Sequence, residues 1–395
     1  MAGKRVIIKD DRVPAVLRRH PWVLSSSVMM VESGVGHGDV VDVVTKDGQF
    51  LARGIYNKKS RIRVRLYTWD ENELLDRDFW RARIVRAVEL REQLGYLDPE
   101  GACRLVFSEG DALSGLIVDR YGPYLVFQPT AFGLAERLST FTEIFKEILG
   151  PKGILVRKDP AASAAEGFEL PEGVLFGEVP EVVTIVEHGI RHRVDLRKGQ
   201  KTGFYLDQRE NRLAAARYLA DRRILDLYCY TGGFSLTAAI RGQARSIEAV
   251  DSSDRALQLA REVSSDHGIA NIVFLEAEVF PLLEKYVAEG RKFEGVILDP
   301  PRFASRRGQI AQALRAYHFV NRLAVSLLEP GGILVSCSCS GRVSRAEFMQ
   351  VLFGVAEKTG RTIQVLEQRG AAPDHPVNVF CPETDYLKCF ICRVI

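Results

Sequence analysis

Asp226-Leu227-Tyr228-Cys229-Tyr230-Thr231-Gly232-Gly233-Phe234 closes a short apolar run, Arg223–Leu227, and leads into a stretch of helical character. A strand that passes through a tight glycine turn into a helix presents backbone N–H groups where a ligand can approach closely. Four further runs of the same kind follow, at Ser246–Val250, Ile272–Leu275, Gly295–Leu298 and Gly332–Ser336, with helical segments between them. This alternation predicts an open, mostly parallel, doubly wound sheet, in which ligands bind beyond the carboxyl ends of the strands.

The residues that carry chemistry fall at those ends. The second run finishes at Asp251, about 25 residues beyond Asp226, where a carboxylate can accept hydrogen bonds from both hydroxyls of a ribose. Ser252 follows it, and the third run leads to Glu278, within reach of an adenine amino group in such a fold. The dinucleotide fingerprint GxGxxG is absent, which argues against NAD. Upstream, Lys198-Gly199-Gln200-Lys201-Thr202-Gly203-Phe204-Tyr205-Leu206-Asp207-Gln208-Arg209 is too dense in turn, aromatic and polar residues for a plain core segment. Phe204 is assigned with it to the cofactor site, together with Asp226, Tyr228, Tyr230, Thr231, Gly232, Gly233, Asp251, Ser252, Glu278 and Asp299.

The fourth run ends in Asp299-Pro300-Pro301-Arg302-Phe303, where the prolines fix the backbone and hold the carboxylate rigidly. Amino-group methyltransferases of nucleobases use a similar tetrad with an aromatic residue after the prolines; Arg302 stands there instead. The fifth run ends in Ser336-Cys337-Ser338-Cys339-Ser340-Gly341, and period-2 alternation puts both cysteines on one face. A free cysteine is more often a small core residue than a nucleophile. The neighbourhood of Asp299 reverses that for Cys339, which lies nearer the strand end, whereas Cys337 is expected to pack. Cys389-Phe390-Ile391-Cys392 has CxxC spacing without a second pair in an apolar terminal run, so packing is expected there and no metal.

At 395 residues the chain is too long for one core. Three regions separate: residues 1–72, read as a small β-barrel; 73–189, an α+β region; and 190–395, the doubly wound sheet. Residues 1–70 hold 13 Lys/Arg against 7 Asp/Glu, while the rest holds 41 against 44, so the whole positive excess sits in the first region. Basic residues interleaved with Trp22, Tyr56 and Tyr67 suit a polyanion, and Arg18, Arg19, Lys58, Lys59, Arg61 and Arg63 are the candidate contacts. In 61–66, basic and apolar residues alternate as in a strand with one buried face. Gly34-Val35-Gly36-His37-Gly38 lacks a strand–helix context and reads as a turn. Seven cysteines without a regular framework, a charged start lacking an apolar signal core, and no apolar run of about 18 residues predict a cytoplasmic protein with no membrane partner.

Taken in order, Arg18-Arg19-His20-Pro21-Trp22-Val23, Lys201–Arg209, Tyr230–Ser235, Asp299–Pro301, Ser338–Gly341 and Asp374-His375-Pro376-Val377 resemble the PUA-domain-containing cytosine-C5 methyltransferases of large-subunit ribosomal RNA. The resemblance spans nearly the whole chain. It implies an N-terminal PUA domain that binds RNA, a central α+β domain and a C-terminal Rossmann-like domain that binds S-adenosylmethionine. It also implies Cys339 as nucleophile, Asp299 as the acid that contacts the base, and Asp226, Asp251 and Glu278 lining the cofactor site. The family pattern has Asp where this chain has Glu278, one methylene longer. Other readings stay open at this point: 5-methyluracil formation, methylation of an exocyclic amine, and an RNA-binding module without activity. The base that removes the carbon-5 proton is not identified, with Asp374-His375-Pro376 a candidate neighbourhood. The target nucleotide, naked RNA or assembled subunit as substrate, and monomer or homodimer also stay open.

Overall fold

Seven strands form the sheet that carries the candidate site: β1 (Arg223–Leu227), β2 (Ser246–Asp251), β3 (Ile272–Glu276), β4 (Phe293–Leu298), β5 (Leu328–Ser338), β6 (Ile363–Arg369) and β7 (Lys388–Val394). They lie in the order β3-β2-β1-β4-β5-β7-β6. The first five are parallel, and β7 runs antiparallel to both β5 and β6. The direction of winding reverses between β1 and β4, so the segments after Leu227 and Leu298 open at the topological switch point. The central strands are near-continuous apolar runs because helices cover both faces. One core contains Leu225, Leu298, Leu334 and Phe390, and the other contains Ile224, Ile297, Val335 and Ile391. Cys389 belongs to the second and Cys392 to the first, so this CxxC pair points to opposite faces and packs as expected.

The computed structural model describes residues 4–170, 172–303 and 307–395; residues 1–3 of the expected first region lie outside these. The chain divides into two compact units, one comprising Met1–Val183, Asp195–Phe204 and Pro373–Thr384, the other Thr184–Val194, Tyr205–Ala372 and Asp385–Ile395. The seven-stranded sheet lies in the second.

Within the first unit, six strands pair in the order Trp22–Leu24, Ile62–Thr68, Phe50–Tyr56, Val40–Val44, Arg5–Ile8, Val28–Val31. The basic–apolar alternation holds in part: Val64 and Leu66 are buried and Arg61 is exposed, but Arg65 is also largely covered because it pairs with Glu109 at 2.9 Å and Glu166 at 3.1 Å. A second, five-stranded sheet spans Ala102–Phe107 to Gly173–Gly177, with helices Arg77–Gln93 and Leu138–Leu149 beside it. Asp76 caps the first of these helices, accepting from the Phe79 N–H at 2.9 Å. Ile55 and Tyr67 of the six-stranded sheet share one apolar core with Trp80, Phe127 and Phe141, which explains why both sheets fall in one unit. Among the described residues no helix is long and apolar enough to cross a membrane.

Candidate active site

The loop after β1 is shaped by backbone geometry that few side chains tolerate. Tyr228 and Tyr230 both have positive φ, 63° and 51°, and Gly232 at 74° is the N-cap of helix Gly233–Ile240. Such strain persists only where surrounding contacts over-determine it. Here Cys229 N–H donates to the Val250 carbonyl at 2.9 Å, and Tyr230 N–H donates to Asp251 Oδ2 at 2.8 Å. The other Asp251 oxygen accepts from Ser253 N–H at 2.9 Å. Each carboxylate oxygen therefore keeps lone pairs for a further donor.

Asp226, the residue before the last of β1, is buried, and Ser235 donates to its Oδ2 at 2.5 Å. Its Oδ1 has no hydrogen-bond partner among the described residues, nor do the buried Tyr228 hydroxyl and Thr231 Oγ1. Burial, with Asp299 and Asp251 nearby, pushes the Asp226 carboxyl up to about 7. A folded-state value above the unfolded one means that Asp226 favours the fold below about pH 4 and loses that contribution as pH rises to about 7. Asp226→Asn is accordingly expected to match the wild-type chain in urea melts at about pH 4 and to be the more stable of the two at about pH 8. Equal stability of both proteins across that range would show that the carboxyl ionises without cost.

At the end of β4, Asp299 is part-buried and its Oδ2 accepts from Gln208 Nε2 at 3.0 Å. Asn211 Nδ2 donates to Gln208 Oε1 at 2.6 Å, and Arg369 Nε donates to Asn211 Oδ1 at 3.0 Å, so the Gln208 amide has one orientation. At the end of β5, Cys339 is part-buried with its sulfur 3.9 Å from the Pro300 carbonyl. Tyr205 closes the group: burial, then Asp299 and Cys339, raise its hydroxyl pKa, and its ring meets Tyr230 edge-on at 5.4 Å. Cys337 is fully buried in the core with Cys389, and burial pushes its thiol well above the ordinary range.

Residues 169–377 match the family model described as S-adenosylmethionine-dependent methyltransferase, and residues 6–69 match a PUA-like domain. The chain belongs to the S-adenosylmethionine-dependent methyltransferase family. Similar relatives of this methyltransferase are ribosomal RNA large subunit methyltransferase I of Klebsiella pneumoniae, 38% identical over 99% of this chain and 98% of that one, and its namesake of Aeromonas hydrophila, 39% identical over 98% of each. A solved structure from Streptococcus mutans, described as a SAM-dependent methyltransferase, aligns over 100% of both chains with TM-score 0.84 and 21% identity. A methyltransferase structure complexed with SAH gives the same score and identity. The expected fold class, an α/β chain with a PUA-like first domain and a Rossmann-like methyltransferase domain, is thus the observed one.

The residues fit the cofactor of the family, S-adenosylmethionine. Asp251 keeps accepting capacity at the end of β2, and Asp226 Oδ1, Tyr228 Oη and Thr231 Oγ1 are polar atoms without a hydrogen-bond partner among the described residues. Gly232 and Gly233 are buried beneath them. Ser252 and Glu278 are exposed at the ends of β2 and β3, and Glu278 heads helix Val279–Ala288 without capping it. Asp251 and Glu278 both raise the Tyr228 hydroxyl pKa after burial, which brings all three into one neighbourhood of the methyltransferase. Phe204 belongs to the other unit, where it is buried and its N–H donates to the Tyr121 hydroxyl at 3.2 Å.

Two residues of this methyltransferase site were not picked out from sequence, Gln208 and Lys388. Gln208 stands in the quoted motif, and Asn211 follows three positions later, one helical turn on; that spacing was the available signal. For Lys388 the signal is a charge placed directly before the apolar run Cys389–Cys392. Asp374 and His375 lie in the first unit, both buried and joined through Asp374 Oδ1 and His375 Nδ1 at 2.7 Å. Arg104 N–H donates to Asp374 Oδ2 at 2.9 Å, a set of contacts that holds a loop in place.

Of the basic candidates, Arg18, Arg19, Lys58, Lys59 and Arg61 are exposed. Arg63 is committed to the carbonyls of Asn57 and Lys58, and Lys59 Nζ donates to the Gly167 carbonyl at 3.0 Å. Among the described residues one trio, His20, Cys381 and Glu383, brings a ring nitrogen, a thiol and a carboxylate within 4.8 Å of one another. Trp22 N–H donates to His20 Nδ1 at 3.2 Å, which leaves the ring proton on Nε2, the nitrogen facing Glu383 at 3.5 Å. That nitrogen is a donor in this tautomer and offers no lone pair to a metal.

Proposed function

We propose that this methyltransferase modifies carbon 5 of a cytosine in large-subunit ribosomal RNA through a covalent adduct with Cys339. The observation that supports the reading most is the Cys339 sulfur at 3.9 Å from the Pro300 carbonyl, next to Asp299 and at the same sheet end as Asp251. The relatives named as ribosomal RNA large subunit methyltransferase I, matched end to end, support the substrate class.

S-adenosylmethionine, when bound, supplies an electrophilic methyl group. Carbon 5 of cytosine is a weak nucleophile, so the ring needs activation. The Cys339 thiolate adds at carbon 6 and pushes electron density towards carbon 5. Asp299 holds a proton at ring nitrogen 3 as negative charge develops there. Gln208 donates to Oδ2, which favours that proton on Oδ1. Once carbon 5 carries the methyl group, loss of its proton re-forms the double bond and expels the sulfur as thiolate. Methylation of an exocyclic amine would want an aromatic platform after the prolines. Arg302 is exposed, and Phe303 packs against Tyr317 at 4.8 Å and Phe280 at 6.1 Å.

Residues 1–72 are proposed to grip the RNA, 73–189 to form a connecting domain, and 190–395 to perform the chemistry. Reversing Lys58 and Arg61 to Glu together is expected to weaken RNA binding and to flatten its dependence on log salt by about two units. Fluorescence anisotropy across a KCl series reads both quantities; an unchanged slope would remove this hairpin from the interface.

The deciding experiment mixes the protein with S-adenosylmethionine and ribosomal RNA carrying 5-fluorocytosine. Fluorine cannot leave as a proton does, so the adduct persists and runs as a denaturant-resistant band. Nucleoside mass spectrometry of unmodified substrate after reaction should show 5-methylcytosine; 5-methyluracil or an N-methylated base in its place would overturn the reading.

A further inference from the structure

Lys388 opens β7 and is 2% exposed, one of the most deeply buried charged groups in the chain. Its Nζ donates to the Ser340 carbonyl at 2.7 Å and to the Tyr386 carbonyl at 2.8 Å. Ser340 is the residue after Cys339, and its hydroxyl also meets the Tyr317 hydroxyl at 2.9 Å. The turn that carries the sulfur is thus tied from two sides.

The hydrogen bonds account for the position of the amine but not for its charge. A buried ammonium is costly unless an anion compensates it. Among the described residues no carboxylate forms an ion pair with Lys388. The charged or titratable groups that face it are Cys339, Asp385, Arg345 and Glu347. Asp385 is already paired with Arg345 at 3.6 Å, and Glu347 accepts from the Ser344 N–H and hydroxyl at 2.7 Å each in a capping box. Cys339 remains as the group able to become the counter-ion.

We propose that Lys388 is a positioning residue for Cys339, fixing the Ser340 carbonyl and holding the neighbouring sulfur in its thiolate form. The inference rests on Cys339 being the nucleophile. Burial pulls the Lys388 ammonium down to about 8, with Cys339 acting in the opposite direction, so the amine is charged at neutral pH. Charge and thiolate then stabilise each other, the ammonium being held on the carbonyl of the residue that follows the sulfur.

The test reads the thiol directly, without RNA or methyl transfer. The full chain is treated with iodoacetamide from about pH 6 to about pH 10, a window around the ordinary cysteine range, and alkylation of the Cys339 peptide is followed by mass spectrometry. Lys388→Met and Lys388→Gln should each move the midpoint up by about one unit or more, slowing alkylation at neutral pH about tenfold, whereas Lys388→Arg keeps the wild-type midpoint. Gln retains an N–H donor without charge, so a wild-type profile in Lys388→Gln would overturn the electrostatic role. An unchanged midpoint in Lys388→Met, with an intact thermal transition, would do the same; should that variant not fold, the Gln and Arg pair decides alone. A shifted profile with no adduct on fluorinated RNA would strike the proposed function and leave this inference standing.

Discussion

Cys339→Ala is expected to abolish both 5-fluorocytosine trapping and turnover, with a rate loss on the order of 10³-fold or more, while S-adenosylmethionine binding by calorimetry stays unchanged. Two sulfurs stand two residues apart, one inside β5 and one just beyond its end. Cys337 lies within β5, fully buried among apolar neighbours and paired with Cys389 on the adjacent β7. Burial raises its thiol so far that almost no thiolate forms near neutral pH. Cys339 lies past the strand end, part-exposed, beside the Asp299-Pro300 turn and the Lys388 ammonium. Cys337→Ala should therefore cost about 1 kcal/mol of stability as a small cavity and leave trapping intact. A covalent band that survives in Cys339→Ala, or one that vanishes in folded Cys337→Ala, would overturn the assignment.

How much of this was legible beforehand follows from the physics of each element. β1 to β5 were readable because parallel strands covered on both faces are unbroken apolar runs, punctuated by Gly, Pro and Asp at their ends. β6 was not: Ile363–Arg369 pairs with a neighbour on one side only, and its mixed polar pattern carries no such signal. Trp22–Leu24 and Val28–Val31 are three and four residues long, too short for periodicity to register. The position of Cys339 at the strand end was readable from its place just before the Gly341 turn, whereas the period-2 expectation of a face shared with Cys337 stops short of it, because the strand ends at Ser338. What surrounds it was not readable, because Gln208 reaches Asp299 across 91 residues and Lys388 reaches Ser340 across 48. Such pairings are decided by strand order, and strand order here depends on β7 inserting between β5 and β6. The division between the two compact units falls between Phe204 and Tyr205, inside one motif, and no local pattern announces it.

Asp299→Asn should lower kcat by about 10²- to 10⁴-fold with KM changed little, the range for loss of a positioned proton donor. The expectation depends on the chain Arg369, Asn211, Gln208, Asp299. Arg369 and the Gly370 carbonyl orient Asn211, and Asn211 takes the Gln208 carbonyl oxygen, so Gln208 must present its N–H groups to position 299. In the variant, the Asn oxygen turns to Gln208 and its NH₂ faces the other way, a hydrogen-bond pattern that the neutral acid also offers. Binding of the base is thus retained, but an amide cannot release a proton to nitrogen 3 as charge builds there. Gln208→Leu makes a weaker version of the same change: it leaves the carboxyl in place and removes what fixes its proton, so activity should fall less than in Asp299→Asn. Rates for Asp299→Asn within about tenfold of wild type, with Cys339 still trapped on fluorinated RNA, would place the proton source elsewhere and leave the carboxylate only a scaffolding part.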